Sequence, residues 1–150
     1  MSDETDLIKL YSTRILGLAA DIPRLGRLDH PDGSGKVRSP LCGSTVTVDV
    51  GIEDGRITDY AQDVKACALG QASAAVVGGN IIGCTEPQVQ TARDQLHAML
   101  KQDGAVPDAP FDGLEVLQPA RDYKNRHASI LLALDATLEA FKEARKADCA

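Results

Sequence analysis

The sequence has no tryptophan, two phenylalanines and three tyrosines, so aromatic residues fill only 3% of its 150 positions. So few ring faces leave little for nucleobases to stack on. An excess of basic charge is missing too: 16 Lys and Arg stand against 22 Asp and Glu, a net charge of −6. A phosphate backbone attracts the opposite balance, which argues against a generic nucleic-acid binder. No run approaches the roughly 18 consecutive apolar residues of a membrane span. The opening Met1-Ser2-Asp3-Glu4-Thr5-Asp6 is acidic and lacks the basic, apolar character of a secretory leader, so a cytoplasmic location is expected. Several catalytic signatures are also absent: no Walker A loop, no Gly-x-Gly-x-x-Gly after a strand, no Gly-x-Ser-x-Gly elbow, no Cys-x-x-Cys and no His-Glu-x-x-His. The Gly78-Gly79-Asn80 run closes a helix instead of opening one, so it is a stop signal and not a phosphate cradle.

With 43% hydrophobic and 25% charged residues, the chain has the balance of a globular protein. Its length fits one domain spanning 1–150, able to bury about two thirds of its unfolded surface without disulfide staples. The four cysteines are Cys42, Cys67, Cys84 and Cys149. In a reducing compartment they serve metal binding, redox work or plain burial. Cys84 suits a small buried hydrophobe, and Cys149, next to the last residue, is expected to be idle.

Hydrophobic spacing predicts a helix over 3–20, with Leu7, Leu10, Ile15 and Leu18 on one stripe and Ile8 beside it. Residues 22–40, rich in proline and glycine, read as a long loop, with turn chemistry at Pro31-Asp32-Gly33-Ser34-Gly35. Residues 44–52 alternate, Val46, Val48, Val50 and Ile52 against Thr45, Thr47 and Asp49, as in a half-buried strand. Glu53-Asp54-Gly55 supplies a hairpin turn, and 56–64 form the return strand, irregular enough to suggest a bulge. A helix follows Cys67 and ends near Gly78-Gly79. Another starts at Thr85 with a capping box to Gln88 and Pro87 in its first turn. Residues 103–113 form a Pro/Gly/Asp loop, and a last helix spans about 124–146 with Ile130, Leu134, Leu138 and Phe141 on one stripe. Strands segregated from helices predict an α+β fold: a small antiparallel sheet with helices packed on one face. Two strands alone are marginal, so a third is expected from around 36–41.

Cys42 opens the first hairpin strand and Cys67 follows the second. With the turn at 53–55, each is about 12 residues from it, so antiparallel pairing brings both sulfurs to one end of the sheet. Cys67 also precedes a helix, whose terminal N–H groups and dipole favour a thiolate. His127 begins the last helix. A lone histidine is ordinarily a surface or capping residue, but beside two thiols it would complete a Cys42, Cys67, His127 set suited to zinc or iron–sulfur chemistry. Asp63, Ser44, Cys84 or an external group could fill a fourth position. His30 and His97 lie in unremarkable loop and helix settings.

From residue 36 to 145 the chain resembles the NifU/IscU-type iron–sulfur scaffold domain, closest to its SufU-like branch. The resemblance rests on Cys42-Gly43-Ser44-Thr45-Val46-Thr47-Val48, on Glu53-Asp54-Gly55-Arg56-Ile57, and on Cys67-Ala68-Leu69-Gly70-Gln71-Ala72-Ser73-Ala74-Ala75. A final segment is similar to the Arg-x-x-Cys motif that opens the family's C-terminal helix. The resemblance implies an exposed site that takes up iron and sulfur, holds a transient [2Fe–2S] cluster and passes it to apo-proteins, without being an enzyme. Cys42 and Cys67 match the first two cysteine ligands. The resemblance also implies a cysteine desulfurase as sulfur donor, and zinc as an occupant in some relatives. Two departures stand out. Ser44 replaces the family's aspartate, and the third cysteine is read as replaced by His127, whose imidazole cannot carry a persulfide. The alternatives are therefore a zinc-binding sulfur acceptor for a desulfurase, and an interaction module that has lost metal binding.

Overall fold

The structure, a computed structural model, describes residues 13–40 and 43–149, the last three without side chains. Of the helix predicted over 3–20, α1 covers Thr13–Ala20. Residues 3–12, with Leu7, Ile8 and Leu10, lie outside the described residues. Three antiparallel strands follow in sheet order, β1 (Gly33–Arg38), β2 (Thr45–Glu53) and β3 (Arg56–Lys65). Then come α2 (Ala68–Asn80), α3 (Glu86–Lys101), two 3₁₀ segments over Asp112–Asp122 and Lys124–Arg126, and the long α4 (His127–Cys149). This is the α+β arrangement expected, and the third strand exists.

That third strand begins earlier than composition suggests. Gly33, Ser34 and Gly35 have the residue types of a turn, yet they pair with Val50, Asp49 and Val48 of β2. The reason is tertiary. A Cβ on Gly35 would stand 2.3 Å from the Ala136 carbonyl, and one on Gly33 would stand 2.2 Å from that of Ala140. Glycine lets β1 lie directly on the alanine face of α4, a close approach no other residue permits.

The helix-facing side of the sheet carries Val46, Val48 and Val50, all fully buried, with Tyr60 and Gln62 beside them on β3. The Tyr60 hydroxyl lies 3.0 Å from Thr137 Oγ1, whose own proton goes to the Ala133 carbonyl at 2.7 Å, so tyrosine is the donor. Burial pushes the Tyr60 phenol well above its ordinary range. The stripe predicted for the last helix is only part of its buried surface. Leu131, Leu132 and Ala133 are buried as well as Ile130 and Leu134. The cause is that α4 contacts the sheet, α2 and α3 at once, so it has no solvent face along these residues. Helix α3 starts as predicted, with Thr85 and Gln88 forming a reciprocal capping box and a proline in the first turn.

The opposite side of the sheet is largely polar, and one of its charged residues is shut off from solvent. Asp49 is fully buried and accepts from Arg27 Nε (2.7 Å) and Nη2 (3.0 Å), the Leu28 amide (3.0 Å) and Ser34 Oγ (2.5 Å). These bonds tie the 22–32 segment across β1 and β2. Burial alone would raise the carboxyl, but the Arg27, Ser34 and Leu28 bonds together hold it below the usual carboxylate range. A depressed folded value stabilises fully above the unfolded value near 4 and is lost as pH falls through the folded one. Urea melts should therefore show Asp49→Asn costing about 2 kcal/mol at pH 7. The deficit should shrink as the pH is lowered below about 4, toward the depressed value at which the folded carboxyl protonates.

Candidate functional site

Because each ladder step fixes the next, the sheet decides what meets at its open end. Thr45 pairs with Lys65 there, and continuing the ladder sets Gly43 opposite Cys67. Between Gly51 and Ile52 the register slips by one, leaving Thr58 as an extra residue in β3. This is the bulge suggested by the irregular return strand. It moves the partner of position 67 from 42 to 43. On the other side, the Ser39 amide donates to the Ser44 carbonyl at 2.8 Å and the Gly43 amide to that of Ser39 at 2.9 Å, closing a tight β1–β2 connection. Cys42 belongs to this connection in sequence but lies outside the described residues.

Cys67 is half-buried and occupies the N-cap of α2 in extended conformation, with no side-chain cap hydrogen bond. Its sulfur lies 3.5 Å from Ser129 Oγ, which in turn donates to Ser44 Oγ at 3.1 Å. Ser44 and Ser129 are both buried. Gly70 makes room for this contact: a Cβ there would stand 2.6 Å from Ser129 Oγ and 2.8 Å from Ala66 Cβ. Ser73 Oγ donates to the Ile130 carbonyl at 2.6 Å, pinning the first turn of α4 to α2.

His127 does not join this group. Successive residues of a helix turn by about 100°, so positions 127 and 129 point to nearly opposite sides of α4. Ser129 faces α2, whereas the His127 ring is buried on the α3 side, near Lys101, with Nε2 3.0 Å from the Ala120 carbonyl and Nδ1 without a hydrogen-bond partner. Burial lowers its proton affinity, only partly offset by that carbonyl, so the imidazole is held neutral. The expectation that His127 stands with the cysteines is corrected on this point, since α2 and α3 lie on different flanks of α4. The residue of this turn that meets Cys67 is Ser129, and the sequence held its signal: Arg126-His127-Ala128-Ser129 has the Arg-x-x-Cys spacing, with serine in the cysteine's place.

Of the other candidates, Cys84 is buried past the far end of α2 and its thiol donates to the Asn80 carbonyl at 3.5 Å. Burial pushes that thiol up, the opposite of what a ligand needs. It is too far from Cys67 to supply a fourth ligand, with the whole of α2, about 20 Å at 1.5 Å per residue, between them. Asp63 pairs with Thr47 within the sheet. Ser44 is the one suggested fourth group that the structure links to Cys67. Among the described residues no three His, Cys, Asp or Glu side chains converge, and no helix is long and apolar enough to cross a membrane.

Comparison with known proteins agrees with the fold. Residues 10–129 match the model of the NifU-like N terminal domain. The chain is 23% identical over 134 residues to the iron-sulfur cluster assembly scaffold protein IscU of Thermotoga maritima, covering 89% of this chain and 94% of that one. It is 27% identical over 86 residues to IscU 1 of Archaeoglobus fulgidus, covering 57% and 56%. Among solved structures, a nitrogen-fixing NifU-like protein (N-terminal) from Brucella abortus superposes with a TM-score of 0.91 at 44% identity, over 94% of this chain and 98% of the other. A SUF-system scaffold protein from Fervidobacterium islandicum superposes at 0.79 with 21% identity, over 89% and 98%. With a family model spanning most of its length and a relative this similar in both sequence and shape, the chain belongs to the NifU-like N-terminal domain family of iron–sulfur cluster assembly scaffolds.

Proposed function

We propose that this protein is a scaffold or carrier that receives iron and sulfur, holds them as a transient [2Fe–2S] cluster through Cys42 and Cys67, and passes the cluster to apo-proteins. A cysteine desulfurase is the matching sulfur donor, and the reducing cytoplasm the matching compartment for free thiols. The observation that carries the reading is the Cys67 thiol, half-buried at the N-terminus of α2 and at the sheet end where the Cys42 connection closes. Iron is bound by thiolate sulfur, and this is the thiol among the described residues that stands at that sheet end. A cluster of this type takes four protein ligands. Two thiols per chain leave positions to be filled by weaker groups or by a recipient, which suits cargo that must leave. His127 is not in the proposed ligand set.

The replacement of a carboxylate and a thiol by Ser44 and Ser129 favours one competing reading, an interaction module that no longer handles metal. Anaerobic reconstitution with iron and sulfide separates the two. The scaffold reading expects brown protein with charge-transfer absorbance, iron and acid-labile sulfide in equal amounts, and loss of that colour to an added apo-ferredoxin. Colourless protein with no bound iron, or with zinc as its sole stable occupant, contradicts it.

A further inference from the structure

We propose that the cavity between the end of α3, the 3₁₀ segments and the start of α4 binds a small hydroxylated oxyanion, its charge held by Lys101 and Lys124 and its O–H donated to His127 Nδ1. This goes beyond the scaffold reading, and the site lies on the α3 flank of α4, away from Cys67. The cavity has a volume of about 540 Å³, and its polar lining is Lys101, Asp103, Arg121, Asp122, Lys124 and His127. Arg121 and Asp103 form an ion pair and offset each other. Lys101 and Lys124 are exposed and take part in no ion pair among the described residues, and Asp122 is the one carboxylate of the lining left to oppose them. Helix α4 adds to this positive excess. Its first turn has no acidic residue, and the segment before it brings Lys124 and Arg126. The partial positive charge of a helix N-terminus thus meets more positive charge, where an anion is the stabilising partner.

His127 defines what else the occupant carries. The residue lines the cavity yet is only 1% exposed. Its Nε2 lies 3.0 Å from the Ala120 carbonyl, which can only accept, so Nε2 carries the ring proton. Burial keeps the ring from taking a second one. Nδ1 is therefore a lone pair, and it is one of two buried side-chain polar atoms without a hydrogen-bond partner among the described residues. Buried acceptors are ordinarily satisfied, so a missing donor calls for an explanation. With Nε2 committed to Ala120, Nδ1 is the ring atom left to meet an occupant. An anion bearing an O–H supplies that donor. A fully deprotonated anion would instead set its oxygen lone pairs against that of Nδ1. Two kinds of molecule share the required chemistry, hydrogen phosphate and the hydroxy-carboxylates.

The test follows the His127 ring nitrogens of the full chain by proton–nitrogen NMR at neutral pH. Phosphate is compared with sulfate, and malate with succinate. Each pair is alike in shape, and only the first member carries an O–H. In at least one pair that member should saturate the site with a Kd of about 1 mM and shift the Nδ1 resonance. Its partner should bind about tenfold more weakly, the value of one hydrogen bond. The pair that responds identifies the source of the oxyanion. Replacing both exposed lysines, Lys101→Gln with Lys124→Gln, should weaken binding about fivefold. Equal affinity within both pairs overturns the proposal. So does a failure of all four anions to saturate the site, and so does binding that the double lysine variant leaves unchanged. Iron and sulfur play no part in the assay, so its failure leaves the scaffold reading standing, and a failed reconstitution leaves the anion result standing.

Discussion

Anaerobic reconstitution of a Cys67→Ser chain should give at least a tenfold loss of iron-linked absorbance, with its fold intact. Thiolate binds iron because the thiol gives up its proton near neutral pH, whereas a serine hydroxyl does not. The exchange removes one donor atom and little volume, and Cys67 is only half-buried, so the melting temperature should move by no more than a few degrees. The discriminating companion is His127→Gln. Its side-chain amide can still donate toward the Ala120 carbonyl that His127 Nε2 meets at 3.0 Å. Because that ring faces the α3 side of α4, uptake in His127→Gln should equal wild type. Loss of colour in His127→Gln with retention in Cys67→Ser would reverse the site assignment.

The second large effect is on stability. Gly35→Ala should destabilise the protein by about 3 kcal/mol, at the upper end of the range for overpacking. The new methyl would meet the Ala136 carbonyl at 2.3 Å, the Ala140 nitrogen at 2.6 Å and Glu139 Cβ at 2.7 Å. None of these is the free end of a flexible side chain, so relief requires β1 to lift from α4. For a domain whose total stability is about 5–15 kcal/mol, that is a large share. Gly17→Ala in α1 is the contrasting control: nothing lies within 4 Å of the added methyl, and alanine favours the helix by up to about 1 kcal/mol. Urea denaturation of the two variants should move in opposite directions. A Gly35→Ala chain as stable as wild type would mean that β1 and α4 are not in this close contact.

These glycines also show where sequence reasoning stops. The Val46–Val50 alternation, the Glu53–Gly55 turn and the Thr85 capping box are local patterns, and each appears where the residues predicted. Gly33, Ser34 and Gly35 carry an equally local turn pattern, but a helix more than a hundred residues later makes them a strand. Asp49 was readable as a solvent-facing strand residue. Only the fold brings Arg27 and Leu28 over it.

The site followed the same division. Hairpin arithmetic sets Cys67 just past the end of β3, where Thr45 pairs with Lys65, and a one-residue bulge shifts the ladder by a single position. The choice between His127 and Ser129 depended on which side of α4 meets α2. Imidazole is the better-known ligand chemically, but helical phase assigns the contact to serine.

The central claim is that this sheet end binds iron through thiolate sulfur. Iron X-ray absorption on the anaerobically reconstituted wild-type protein tests it most directly. The account predicts a first shell dominated by sulfur with a second iron close by, and loss of that pattern in Cys67→Ser. A shell of oxygen and nitrogen alone, or an unchanged spectrum in Cys67→Ser, would contradict it.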